Sequence, residues 1–301
     1  MPRGVGVRLT DYGVRIVRLE KTGDDIAVVG LDAGPREEVL APLGPGDEAS
    51  GEEGAVVFGL GPGDFLTASQ TAESSTGQDD IQVRLRWELE QKILSPPDEY
   101  NLDFLIVGDR GFGFAARRKR VDEAARSREG ALTDVEPVAL FNGIETSGEL
   151  SEACTAVIAI ESEGITVVIA EGKLPVFMDS VVYRDQGIST VLAGLNETQI
   201  AEIGEEESAR LFGYARESID RVTSFGGNEG LPTPERIILA GAGAYAGAFP
   251  AMIEQQYGVT PVRSDPFRSV TGGRDGLSDE LTGMSSAFTT VFGLAFRAME
   301  V

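Results

Sequence analysis

Three glycine-bearing turns hold the residues of this chain whose types and spacing suit work on phosphate. The first, Thr10-Asp11-Tyr12-Gly13, joins the apolar runs Val5–Leu9 and Val14–Leu19. The second, Glu161-Ser162-Glu163-Gly164, joins Ala156–Ile160 and Ile165–Ile169. A short polar turn with glycine between two apolar runs is the signature of a β-hairpin. The third, Gly241-Ala242-Gly243-Ala244, follows Ile237–Ala240 and leads into a helical pattern. Carboxylates such as Asp11 and Glu161 can hold a hydrated Mg²⁺ and orient water. Glycines let backbone N–H groups approach phosphate oxygens. Arg8, just before the first turn, offers a positive charge that could stand in for a cation and meet a phosphate directly.

Other chemistries are closed to the chain. It has no histidine, which excludes Ser-His-Asp and Cys-His catalysis and histidine metal sites. Its single cysteine, Cys154, rules out an intrachain disulfide and reads as a small buried apolar residue. A net charge of -23 argues against a nucleic-acid face and against direct docking on anionic lipid. Four lysines stand against 22 arginines. That balance fits adaptation to high salt, where screening removes self-repulsion, or a genome that favours arginine codons. No apolar run approaches the roughly 20 residues that cross a bilayer, and the start lacks a secretory core, so a cytoplasmic location is expected.

The elements that must position the turns follow from patterning. Strands are expected at 5–9, 14–20, 26–31 and 55–60, with a solvated loop over Gly44–Gly54. Residues 73–80 form a polar lead-in. Ile81, Leu85, Leu89 and Ile93 then make one helical stripe, which Ser95-Pro96-Pro97 stops. Strands at 101–107 and 111–116 precede Arg117-Arg118-Lys119-Arg120, read as the solvated start of a helix. A strand near 133–137 and a helix from Val138 lead to a linker at 146–151. Strands at 155–160, 165–170 and 174–182 follow, with helices at about 205–225, 246–257 and 285–299 and a strand at 259–262.

The order of these pieces resembles the PilM family of type IV pilus assembly proteins, and more loosely the cell-division protein FtsA. Arg86-Trp87-Glu88-Leu89-Glu90-Gln91-Lys92-Ile93 with Ser95-Pro96-Pro97 and Asn101-Leu102-Asp103-Phe104 looks like that family's helix, proline turn and strand. Phe114-Ala115-Ala116-Arg117-Arg118-Lys119-Arg120-Val121-Asp122, Val135-Glu136-Pro137, Ser264-Asp265-Pro266-Phe267 and Phe292-Gly293-Leu294-Ala295-Phe296-Arg297 are similar to further segments. The resemblance implies an α/β actin-like, RNase H-like fold of two domains, 1–150 and 151–301, with a small 1C-type insert at about 73–132. It implies ATP with Mg²⁺ as cofactor, held at Arg8, Thr10, Asp11, Tyr12, Glu161, Ser162, Gly164, Gly241, Ala242 and Gly243. Arg210 and Arg216 would lie within reach of ribose or base. As partner it implies the cytoplasmic tail of a PilN-like membrane protein, in a groove near Leu85, Trp87 and Phe104.

The sequence departs from a working ATPase where the chemistry is most exacting. Arg8 stands where an Asp is expected, Asp11 comes three residues later, and Ala159 replaces the second Asp. Glu161 and Glu163 would repel a triphosphate at close range. Either Asp11 or Glu161 has taken over metal binding, or the cleft is degenerate and binds nucleotide weakly or not at all. The second reading is favoured, and with it a non-catalytic scaffold with no catalytic residue. An active ATPase or sugar-kinase-like phosphotransferase is the alternative, and filament formation a third reading.

Overall fold

The computed structural model describes residues 2–35, 54–71, 78–128, 130–183, 185–225, 233–271 and 277–301. The expected loop over 44–53 and the lead-in over 73–77 lie outside the described residues. In chain order the strands are β1 (Arg3–Leu9), β2 (Val14–Thr22), β3 (Asp25–Gly34), β4 (Ala55–Leu60), β5 (Phe65–Thr71), β6 (Tyr100–Val107) and β7 (Arg110–Arg117). They continue with β8 (Leu132–Val135), β9 (Thr155–Ile160), β10 (Gly164–Glu171), β11 (Leu174–Val182), β12 (Arg236–Ala240) and β13 (Val262–Arg263).

Two five-stranded sheets share one plan. The first has the order β3-β2-β1-β4-β8 and the second β11-β10-β9-β12-β13. In each, three antiparallel strands are followed by two that run parallel to the first-formed strand. β9 is buried along its whole length, as a continuous apolar run in a central strand requires. The two hairpin turns close alike. Thr10 N–H donates to the Gly13 carbonyl and Glu161 N–H to the Gly164 carbonyl, both at 2.9 Å.

The halves share a core. Val17, Leu19 and Val28 of the first sheet cluster with Ile158, Ile160 and Ile165 of the second and with Val291 and Phe292. The last two sit on the helix Thr289–Met299, which packs on β1 and against the helix Glu136–Thr146. Gly293 makes that crossing tight, since a Cβ there would lie 1.9 Å from the Ala139 carbonyl oxygen. These contacts fix the ends of β1 and β9, and so both hairpin turns, relative to each other.

A third sheet, β5-β7-β6, carries the helix Gln78–Lys92 on one face. Asp79 and Asp80 in the first turn and Lys92 in the last suit the helix dipole. Ile81, Leu85 and Leu89 are buried against the sheet. Its other face, with Phe65, Phe112 and Phe114, packs on Leu60, Val135 and Leu140. β5 precedes the 73–132 segment expected for the insert, and its mixed residues (Phe65-Leu66-Thr67-Ala68-Ser69-Gln70-Thr71) do not announce a strand. Two other expected elements are shorter. Ala242–Tyr245 form a 3₁₀ turn, so the next helix starts at Phe249, and the strand near 259–262 is reduced to Val262–Arg263. The 146–151 stretch is packed rather than solvated at Glu149, whose carboxylate accepts the Asp265 N–H at 2.6 Å.

Candidate functional site

β1 and β2 place Arg8 directly opposite Arg15. Two like charges on neighbouring buried strands repel unless acids lie between them. Three glutamates supply the acids. Arg8 is 1% exposed and its Nε donates to Glu136 at the start of the helix Glu136–Thr146. Its two terminal nitrogens lie 4.0 Å from Glu161 and 3.7 Å from Glu163, both in the second hairpin turn. Arg15 donates to Glu161 at 2.6 Å and to the Ala287 carbonyl at 2.8 Å. The Tyr183 hydroxyl donates to the Glu161 carbonyl. The cluster thus joins both hairpins, the middle helix and the segment before the closing helix.

Burial alone would lower the Arg8 pKa, but Glu136, Glu161 and Glu163 outweigh it and raise the guanidinium pKa. Burial pushes the Glu136 carboxyl up to about 7; Arg8 opposes the rise, and Glu161 and Glu163 add to it. Burial also raises Glu163, against Arg8 and the Asp11 N–H. With every group ionised, two cations face three anions, and Glu136 is the acid whose proton removes the excess.

Magnesium and a triphosphate do not fit these residues. Each backbone donor of the first turn is already taken. Asp11 N–H donates to Glu163 at 3.0 Å, and Tyr12 and Gly13 N–H donate to Thr10 Oγ1 at 3.1 and 3.0 Å. Arg8 offers no oxygen to a metal ion. Among the described residues no three His, Cys, Asp or Glu side chains are placed to share a metal ion. The cavity lined by Arg8, Thr10, Gly13, Val14, Arg15, Ser162 and Ala193 encloses about 10 Å³. That suits one water, whereas ligand pockets run to roughly 300–1,000 Å³. Both Arg8 terminal nitrogens, Glu161 Oε1 and Ser162 Oγ are buried without a hydrogen-bond partner, and a single water beside them would meet that need.

The third turn packs on the end of β9, next to the second hairpin turn. Gly241 (φ 78°), Ala242 and Gly243 are buried. A Cβ on Gly241 would meet the Ile160 carbonyl at 2.4 Å, and one on Gly243 the Ile160 side chain at 2.3 Å. Both glycines therefore serve packing on the end of β9. Gly164 is buried under Pro62 and the Val181 carbonyl. Tyr12 is exposed, and the Asp11 carboxylate faces solvent. Arg210 pairs with Asp185 at 2.6 Å on the surface, and Arg216 is exposed on the same helix. Leu85 and Trp87, two residues apart on a helix, face opposite ways: Leu85 is core beside Phe104, and Trp87 is 64% exposed. No single groove takes both.

A groove does lie between the first sheet and the insert. Leu9, Thr10, Asp11, Phe58, Gly59 and Leu60, at the ends of β1 and β4, form one side; Asp64, Arg120, Glu123 and Ala124 form the other. Arg120 holds it together, donating to Asp64 at 2.8 Å and Glu123 at 3.1 Å, with Asp11 at 3.9 Å. Sequence reasoning missed Arg15, Glu136 and Arg120. The hairpin register would have set Arg15 against Arg8; nothing local marks Glu136, 128 residues away.

No family model and no curated protein matches the sequence. Solved structures do. One described as a PilM–PilN type IV pilus biogenesis complex aligns over 99% of this chain and 99% of its own, with a TM-score of 0.72 and 18% identity. A Bacteroides thetaiotaomicron protein of actin-like ATPase fold and unknown function aligns over 90% of this chain and 96% of its own, with a TM-score of 0.52 and 9% identity. The fold is that of the actin-like ATPases.

Proposed function

We propose that this chain is a non-catalytic scaffold of a type IV pilus or secretion-type assembly machine, recruiting the cytoplasmic tail of a PilN-like inner-membrane partner. The observation that carries the reading is the ion cluster around Arg8, at the two hairpin turns that the resemblance assigns to phosphate. The fold's similarity to a structure containing PilM and PilN supports the choice of partner. Among the described residues no helix is long and apolar enough to cross a membrane, so membrane association would come through that partner. The tail would sit at the groove between the first sheet and the insert, where half-buried Leu9 offers an apolar contact and Arg120, Asp64 and Glu123 a charged rim. In this role ATP and Mg²⁺ take no part.

The test is titration of the labelled partner tail into the protein, followed by fluorescence anisotropy. Saturable binding that Arg120→Glu weakens about tenfold or more is expected, a loss of about 1.4 kcal/mol. A tail that does not bind, or binds Arg120→Glu equally well, refutes the proposal. Steady ATP turnover abolished by Asp11→Ala would replace it with the ATPase reading.

A further inference from the structure

The outward face of the helix Gln78–Lys92 carries a second apolar stripe. Val83 is 67% exposed, Trp87 64% and Leu94, just past the helix end, 98%. Val83 and Trp87, four residues apart, share one side of the helix, opposite the buried Ile81, Leu85 and Leu89. Large apolar side chains gathered this way mark an interaction surface. The charge of the chain says what kind. Residues 78–128 carry ten basic and ten acidic side chains, so the whole net charge of -23 lies elsewhere. A second copy of so acidic a protein is repelled less by this segment than by the rest of the chain.

We infer that this helix is the contact of a two-fold dimer, two copies packing antiparallel across Trp87. A two-fold axis at Trp87 sets Trp87 on Trp87, Val83 beside Gln91, and Arg84 against Glu90, so the helix is self-complementary in charge. Arg84 and Glu90 are exposed, and no ion pair within the described residues engages either. One helix on one helix is a small interface, and the dimer is accordingly weak. Salt strengthens it. The Debye length falls from about 10 Å at 0.1 M to about 3 Å at 1 M, which removes repulsion between the two bodies, while exposed ion pairs contribute little.

The experiment is sedimentation equilibrium of the full chain in about 0.1 M and about 1 M KCl. Dimerisation at least about tenfold tighter at high salt is expected, with Trp87→Glu weakening it by a similar factor. Arg84→Glu weakens it, and Arg84→Glu with Glu90→Arg restores it. Since Cys154 is buried, Trp87→Cys forms a disulfide-linked dimer under mild oxidation, and Val29→Cys, on an exposed strand position, does not. A chain that stays monomeric in both salts overturns the inference, as does a dimer that Trp87→Glu leaves unchanged and Trp87→Cys does not cross-link. Trapping of Trp87 by a different protein while the chain itself stays monomeric overturns it too.

Discussion

An arginine enclosed by protein keeps its charge only where carboxylates come with it, and those carboxylates depend on it in turn. Arg8→Met would leave Glu136 and Glu161 buried beside a single remaining cation, Arg15. Loss of about 3–5 kcal/mol in urea unfolding is expected. Arg8→Met with Glu136→Met costs less than Arg8→Met alone, because the acid stranded by the first change is gone. Glu136 also sets a pH dependence. Its folded pKa, raised to about 7 from 4.5, means the native state binds the proton more tightly than the unfolded chain. Its contribution to stability is therefore present below about pH 4.5 and lost as pH rises to about 7. Unfolding at pH 5.5 and pH 8 reads this. The wild type is more stable at pH 5.5 by about 2 kcal/mol from this group, and Glu136→Gln removes that difference. Greater stability at pH 8 that Glu136→Gln abolishes would show the opposite coupling.

The helix Gln78–Lys92 illustrates what an element reveals before its structure is seen. The four-residue spacing of Ile81, Leu85 and Leu89 fixes the buried face, and the same geometry turns Trp87 outward. Leu85→Ala is expected to cost about 2–5 kcal/mol, whereas Trp87→Ala stays within about 0.5 kcal/mol at low salt. Denaturant midpoints of the two variants check this, and equal losses would contradict it. The hairpins were legible because both arms of each are apolar and the turn is polar. β5 was not, since only its pairing with β7 makes Phe65–Thr71 a strand. Nor was the role of Gly241 and Gly243. A strand–glycine–helix turn does not show in sequence which neighbour the small residues bring close; here it is the side chain and carbonyl of Ile160.

At the scale of the molecule, two halves with one strand order put two hairpin turns face to face. That pairing was readable from the repeated pattern. The ion cluster between the turns was not. It depends on Arg15 from the cross-strand neighbour and Glu136 from a distant helix, which only the closed fold brings together. Fixed charges of the chain itself bridge the halves. The measurement that tests this most directly is calorimetric titration with ATP and Mg²⁺ at low and at molar salt. The account predicts no binding in either. Saturable binding, lost on substitution of Asp11 or Glu161, would contradict it.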